Sequence, residues 1–414
     1  MLPFLKEIVR MSILIVDDNQ VNLFVVEKIL RNAGYEDYRS FTSAKDLFKH
    51  LENAGPAFAQ NTADVILMDI MMPEMDGIEA CRRLQENPLY RDIPVIFVTA
   101  LEDSQKVAEA LDVGGIDYIT KPINKVELAA RLRVALRLKE EKDWHKEHEK
   151  KIRDELDLAQ QVQHNLLSEM VQEDHIHINA SYIPAFKLAG DMYYWHKIDE
   201  NRYAAIVLDM MGHGISASLV CMFISSVLRD VIRNFSEPER VIKELNKWMV
   251  MLEKKKSGLH YYFTAVYLVI DTKKKTVEYV NAGHPPCFAL VDGRETVPMK
   301  KGSCAIGFWE NIKVEKSIIE YEKSIQILLY TDGVMEAIER KFEDGIPLLA
   351  EAAGRKWDKE TIDAPINLVI PKELQACQPD DMCVVMIQAK AESEQVLKHP
   401  AIEAAQKYSA AGLA

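Results

Sequence analysis

Along the first third of the chain, short apolar runs alternate with amphipathic stretches. Ile13–Val16 is unbroken and ends in Asp17 and Asp18. Val65–Met68 ends in Asp69, Val95–Val98 ends in Thr99 and Ala100, and Tyr118 and Ile119 precede Lys121 and Pro122. After the first run, Val21–Ala33 carries Val21, Val25 and Ile29 at helical spacing and stops at Gly34. Short apolar strands separated by amphipathic helices predict an α/β domain, a doubly wound parallel sheet covered on both faces. Glu52–Ala63, with its Ala, Asn and Gly residues, reads as a loose insertion.

The pattern then changes twice. From Glu127 to Met170 there is no Pro or Gly, which predicts one helical stretch. Its middle, Lys139–Lys151, is mostly charged with Trp144 as the large apolar exception, the composition of a solvated helix. Ile152, Leu156, Ala159 and Leu166 follow at coiled-coil-like spacing, with Gln163 breaking the seam. The stretch reads as a rigid spacer or as a dimerising helix. After Asn179 strands dominate: Tyr203–Leu208, Tyr262–Ile270, Thr276–Val280 and Ile325–Tyr330 are rich in β-branched and aromatic residues. Helical stretches Ser216–Arg233 and Pro238–Lys255 lie between them, predicting an α+β layered domain. The tail after Ala389 predicts a helix or a disordered end.

Composition narrows the function. The 414 residues suffice for two or three domains, and the net charge of -13 disfavours nucleic acid and anionic membrane surfaces as partners. The six cysteines form no CxxC pair, which argues against structural zinc and suits buried free thiols in a reducing cytoplasm. No apolar run reaches membrane-spanning length, and Met1–Arg10, with Lys6, Glu7 and Arg10, is a poor signal peptide.

In an open parallel sheet, function gathers at the carboxyl ends of the strands. Those ends carry Asp17, Asp18, Asp69, Thr99 and Lys121. Three converging carboxylates call for a cation, and oxygen ligands suit Mg²⁺. A carboxylate attacks phosphorus when a metal and a lysine neutralise the phosphoryl oxygens. Ile13–Asp18 with Asn19, Asp69-Ile-Met-Met-Pro-Glu-Met-Asp-Gly77, Val98-Thr-Ala100 and Asp117-Tyr-Ile-Thr-Lys-Pro122 resemble the two-component receiver family along residues 11–135. The resemblance implies a five-stranded sheet and Asp69 as phosphoacceptor. It implies Asp18 as main Mg²⁺ ligand, Asp17 as its water-linked neighbour and the Met71 carbonyl as a further ligand. Thr99, Lys121 and the aromatic Tyr118 would be the switch residues, and a sensor histidine kinase the partner.

The second half holds a dispersed acidic set: Asp191 after Gly190, Asp209 before Gly212-His-Gly214, Asp332 before Gly333, and Asp380-Asp381 before Cys383-Val-Val-Met-Ile. A lone Asp after a strand is usually a turn residue. Four such places, two beside Gly, suggest hard-metal ligands that a backbone can approach closely. Residues from about Asp154 to Gln388 resemble the SpoIIE/RsbU branch of PPM-type protein phosphatases. The matching segments are Glu155–Gln163 with Leu166-Leu167, Ala189-Gly-Asp191, Asp209–Gly214, Phe263–Tyr267, Asn281–Pro286, Ile306-Gly307, Leu328–Glu336 and Asp380-Asp381. Tyr194 stands where that family commonly has a second Asp, and Asp-Asp-Met-Cys383 lacks its usual Thr.

This resemblance implies a two-sheet sandwich flanked by helices and two Mn²⁺ or Mg²⁺ ions about 4 Å apart. Asp209 would bridge them, with Asp191 and the Met210 carbonyl completing one shell and Asp332 with Asp380 or Asp381 the other. His213 is a candidate proton donor to the departing serine oxygen or, equally, a residue that caps its loop. His284 reads as structural. The organisation expected is an extension at 1–10, a receiver at 11–135, a helical linker at 136–172, a phosphatase domain at 173–390 and a tail at 391–414. The substrate implied is a phosphorylated STAS-domain anti-sigma-factor antagonist in a sigma-B-like stress pathway, with a homodimer through linker or receiver. The alternative is a pseudophosphatase scaffold that binds a sigma-factor regulator without hydrolysing it. A cysteine phosphatase is excluded by the missing His-Cys-x5-Arg loop, and a P-loop kinase by the missing glycine motif.

Overall fold

A computed structural model of the chain describes residues 11–53, 63–100, 104–253, 261–300, 302–339, 344–372, 375 and 380–391. The extension at 1–10, most of the Glu52–Ala63 insertion, the end of the Pro238–Lys255 helix, Cys377 and nearly all of the tail lie outside these residues. The chain divides into two compact units, Met1–Arg153 and Asp154–Ala414.

In the first unit, β1 (Ile13–Val16), α1 (Gln20–Asn32), β2 (Tyr38–Phe41), α2 (Ala44–Asn53), β3 (Val65–Asp69), α3 (Gly77–Glu86), β4 (Val95–Thr99), α4 (Ser104–Asp112) and β5 (Asp117–Thr120) alternate before α5 (Lys125–His164) begins. The five strands are parallel in the order β2-β1-β3-β4-β5. Alternate residues feed two cores: Leu14, Val16, Ile66 and Met68 pack with Leu47 and Leu84, and Ile13, Ile15, Val65 and Leu67 pack with Leu30, Leu128 and Leu132. The edge strand β2, Tyr-Arg-Ser-Phe, is only partly covered, and its weak apolar signal hides it in the sequence.

The first turns of α5 bury Leu128, Leu132, Ala135 and Leu136. Beyond Lys139, whose buried amine bonds the Asp143 carboxylate at 2.6 Å, the helix is largely exposed through Glu155. The missing Pro and Gly predict a helix through Met170, but it ends at His164. Leu166 carbonyl accepts from Arg229 Nη2 at 2.8 Å, and Val171–Gln172 becomes a strand, so tertiary partners end the helix where no breaker residue does. The expected linker at 136–172 is therefore no separate element: its helix starts within the first unit, and its last residues belong to the second.

The second unit contains β6 (Val171–Gln172), β7 (Ile176–Ile183), β8 (Met192–Lys197), β9 (Arg202–Met210), α6 (Ile215–Asn234), α7 (Pro238–Glu253), β10 (Phe263–Asp271), β11 (Thr276–Ala282), β12 (Cys287–Val291), β13 (Glu295–Met299), β14 (Gly302–Ser303), β15 (Ser317–Glu320), β16 (Ser324–Tyr330), α8 (Asp332–Glu339), α9 (Gly345–Gly354), α10 (Lys359–Asp363), α11 (Ile366–Val369) and β17 (Met382–Lys390). One six-stranded sheet runs β14-β11-β10-β9-β8, with β15 also on β11; the other runs β13-β12-β16-β17-β7-β6. Both contribute to one core, for example Trp195, Val207 and Val266 from the first and Ile178, Ile327 and Val385 from the second. This is a two-sheet α+β sandwich flanked by helices.

Helices α6 and α7 cover the first sheet, packing Cys221, Ile224, Leu228, Val241 and Leu245 on Ala204, Ile206 and Leu208. By length and composition α6 could cross a bilayer, a stretch the count of apolar runs passes over; here half of it is buried on this sheet. Among the described cysteines Cys81, Cys221, Cys287 and Cys383 are buried as expected, whereas Cys304 is exposed.

Candidate functional site

Parallel strands bring their C-terminal ends to one edge of the first unit. Asp17, Asp18 and Asp69 there offer oxygens within 4.8 Å of one another. Lys121 Nζ donates to Asp17 Oδ2 at 2.9 Å and to Asp69 Oδ2 at 2.7 Å. Burial raises the Asp69 carboxyl above its ordinary range, with Lys121 pulling against it and Asp17 adding to it. Asp17 is buried and its Oδ1 accepts from Asn19 N and Asn22 Nδ2, whereas Asp18 is exposed. Thr99 is fully buried at the end of β4. Met71 N donates to Asp69 Oδ1 at 3.4 Å. Tyr118 is half-buried, with the Arg131 guanidinium 5.8 Å from its ring centre and bonded to Asp117 and Glu127. A Cβ on Gly77 would stand 2.2 Å from the Asp69 carbonyl oxygen, so only glycine lets α3 start this close to Asp69.

In the second unit the acidic residues come from both sheets. Asp191 precedes β8 and Asp209 lies near the end of β9; Asp332 follows β16, and Asp380 and Asp381 precede β17. Their carboxylates act on one another through charge. Burial and the charges of Asp209 and Asp381 push Asp191 far above its ordinary range, and burial with Asp332 and Asp380 raises Asp209. Asp332 is raised by burial and by Asp380. Asp191 Oδ2 is buried with no hydrogen-bond partner. Mutually repelling carboxylates with an orphaned oxygen are the donor set of a hard divalent cation, so the residues fit the metals that the sequence implies.

The two adjacent aspartates differ. Asp381 is buried, its Oδ1 accepting from Ala185 N at 2.8 Å and its Oδ2 from Gly190 N at 2.7 Å. Asp380 is half-buried and its charge acts on Asp209 and Asp332. Asp381 thus holds the loop before Asp191 while its charge, like that of Asp380, acts on the cluster. Gly333 is tied to this arrangement, because a Cβ there would lie 2.1 Å from Asp381 O.

Gln163, read in the sequence as an interruption, is buried. Its Nε2 donates to Ala189 O at 2.7 Å and its Oε1 accepts from Ala189 N at 3.1 Å. The Lys187 amine pairs with Asp157. The loop between β7 and β8 is therefore tied to the end of α5 as well as to Asp381, a role no local pattern announces. Tyr194 lies with Met192 in the core under α6, its ring 5.2 Å from the Arg229 guanidinium. The departure from the family motif therefore falls on the helix-covered side of β8.

His213 is exposed, and its ring stacks on Phe186 with centroids 5.2 Å apart. His284 is buried: Nε2 sits 2.7 Å from Tyr330 O and Nδ1 2.7 Å from Thr264 Oγ1. A carbonyl only accepts, so Nε2 carries the proton and Nδ1 accepts from the hydroxyl. Burial lowers its pKa to about 4, as suits a neutral structural residue.

Residues 13–133 match the sequence model of the response regulator receiver domain, and residues 199–390 that of Stage II sporulation protein E, SpoIIE. Phosphoserine phosphatase RsbP of Bacillus subtilis is 37% identical over 182 residues, 44% of this chain and 45% of that protein. Transcriptional regulatory protein YvrH of the same organism is 39% identical over 126 residues, 30% of this chain and 49% of that protein. The chain spans about half the length of these curated relatives. The solved SiaA-PP2C domain of Pseudomonas aeruginosa aligns with a TM-score of 0.48 at 20% identity, over 59% of this chain and 98% of that one. The N-terminal part of the chain is thus a response regulator receiver domain, and the C-terminal part matches the SpoIIE phosphatase domain.

Proposed function

We propose that the chain is a response-regulator protein phosphatase in which phosphorylation of Asp69 controls hydrolysis of phosphoserine or phosphothreonine on a partner protein. The observation that carries this reading is the convergence of Asp191, Asp209, Asp332 and Asp380 from two sheets, with the orphaned Asp191 oxygen among them. These four residues, with the Met210 carbonyl, would hold two Mn²⁺ or Mg²⁺ ions. The ions supply an activated water and neutralise phosphoryl charge. Asp209 would contribute to both, Asp191 to one and Asp332 with Asp380 to the other. Asp381 holds the Asp191 loop in place. His213 gives its proton to the serine or threonine oxygen as the P–O bond breaks.

In the receiver, Asp69 takes the phosphoryl group from a sensor histidine kinase, Asp18 and Asp17 with the Met71 carbonyl would hold Mg²⁺, and Lys121 and Thr99 stabilise the phosphoryl oxygens. Tyr118 and the dimerisation of receivers or α5 relay the state. The α5 end then acts on Asp191 through Gln163 and Ala189. A switch from mostly inactive to mostly active needs several kcal/mol of differential stability, which a dimer contact can supply. The substrate proposed is a STAS-domain anti-sigma-factor antagonist in a cytoplasmic stress pathway, a reading that similarity to a phosphoserine phosphatase supports.

The test is Mn²⁺-dependent release of p-nitrophenol from p-nitrophenyl phosphate by the full chain, followed by phosphatase rate on a phosphorylated antagonist with and without acetyl phosphate. No release across the Mn²⁺ titration would leave the scaffold reading standing.

A further inference from the structure

Phe186 sits on the loop between β7 and β8, and that loop is fixed on both sides of it. Ala185 N and Gly190 N bond the two oxygens of Asp381, and Ala189 is bonded twice by Gln163. Yet Phe186 itself is not buried: 54% of its surface is exposed. Its face meets the imidazole of His213, with an interplanar angle of 22° and centroids 5.2 Å apart, the geometry of an offset stack. Among the described residues, Phe186 is the aromatic side chain that packs on His213. His213 stands on the short segment between β9 and α6, four residues after Asp209. Without the stack, an exposed histidine on a Gly-His-Gly turn would sample several rotamers.

We infer that Phe186 is a positioning residue that holds the His213 imidazole in place to protonate the leaving oxygen of the substrate. This rests on the proton-donor reading of His213. General acid catalysis contributes about 10²–10⁴-fold only when the donor lies within hydrogen-bond reach of the departing atom. A serine or threonine alkoxide is a poor leaving group and needs that proton; p-nitrophenolate leaves without it. The effect of Phe186 is therefore specific to the leaving group.

The experiment compares full-length wild type, Phe186→Leu, Phe186→Tyr and His213→Gln with saturating Mn²⁺ on a phosphothreonine peptide and on p-nitrophenyl phosphate. His213→Gln is expected to lose at least about 10²-fold in kcat on the peptide and little on the aryl ester. Phe186→Leu is expected to lose about tenfold in kcat on the peptide, to stay within about twofold on the aryl ester, and to be rescued by Phe186→Tyr. A readout free of catalysis accompanies these: the His213 ring protons in the NMR spectrum, shifted by the aromatic ring current, move in Phe186→Leu and not in Phe186→Tyr. Equal losses by Phe186→Leu on both substrates, or a rise in KM alone, overturn the inference and leave Phe186 as a fold or substrate contact. Should His213→Gln itself lose equally on both substrates, the proton-donor reading falls, and the inference with it. Unmoved His213 protons in Phe186→Leu would show that the stack does not form in solution.

Discussion

The side-chain amide of Gln163 closes a two-way pair with the backbone of Ala189, donating at 2.7 Å and accepting at 3.1 Å. It joins the last turn of a 40-residue helix to a residue two positions before Asp191. Gln163→Leu leaves a buried N–H and a buried carbonyl unpaired, which costs about 1–3 kcal/mol each. The variant is expected to melt at lower temperature and to need more Mn²⁺ for half-maximal activity. A Mn²⁺ titration unchanged from wild type would break the link between this helix end and the candidate metal ligands.

The adjacent aspartates give a second contrast. Asp380→Asn is expected to lose at least about 10²-fold in kcat, the scale of a lost charge-stabilising contact, with little change in melting temperature. Asp381→Asn turns one acceptor toward a backbone N–H that it cannot satisfy, so stability falls by about 1–3 kcal/mol. Asp209→Asn, at the centre of the cluster, should remain folded and stay inactive across the whole Mn²⁺ range. Thermal melts beside the kinetics separate the three.

In the receiver, Asp69→Asn should abolish labelling by acetyl phosphate in Mg²⁺. Gly77→Ala is the subtler variant. Its new methyl meets the Asp69 carbonyl oxygen at 2.2 Å, so the backbone on which Asp69 stands must shift. We expect a stability loss of at least about 1–3 kcal/mol and slower labelling. Labelling at the wild-type rate in a stable Gly77→Ala protein would mean that α3 can retreat freely.

His284 makes stability depend on pH. Its folded pKa, about 4, lies below the unfolded value of 6.5 because burial disfavours its charge. Below the unfolded value the unfolded chain takes up a proton that the folded one refuses. Stability is therefore full above that value, falls as pH drops towards the folded value, and levels off below it. The span is worth about 3 kcal/mol. His284→Gln should flatten that part of the profile in urea melts between those limits.

Much of this was legible in the sequence where chemistry and local pattern coincide. Asp17, Asp69 and Thr99 end short apolar strands, and Asp209 and Asp332 lie at or beside strand ends. What escaped depends on distant partners. Gln163 looks like an error in a helical seam until Ala189, 26 residues away, is placed beside it. Asp380 and Asp381 are chemically identical in a string of letters, and only the backbone amides of Ala185 and Gly190 tell them apart. Phe186 carries no signal at all, because its meaning lies in where an exposed ring is held. The edge strand β2 is too short and too polar to announce itself.

Inserting a flexible Gly-Ser segment after Lys142, within the solvated part of α5, should leave Asp69 labelling intact and abolish activation by acetyl phosphate. Full activation in that variant would replace the helical relay with a direct contact between receiver and phosphatase.

The candidate metal ligands are split between the sheets: Asp191 and Asp209 belong to one, Asp332 and Asp380 to the other. A cation held by both therefore acts as a cross-brace over the sandwich. It cannot bind well until the sheets have docked in register, and once bound it opposes their parting. Ligand affinity and resistance to unfolding then become two measures of one equilibrium. A substitution deep between the sheets, far from any carboxylate, would weaken metal binding as surely as one in the site, and a regulator that eases the sheets apart by a fraction of an ångström would need to touch none of the ligands.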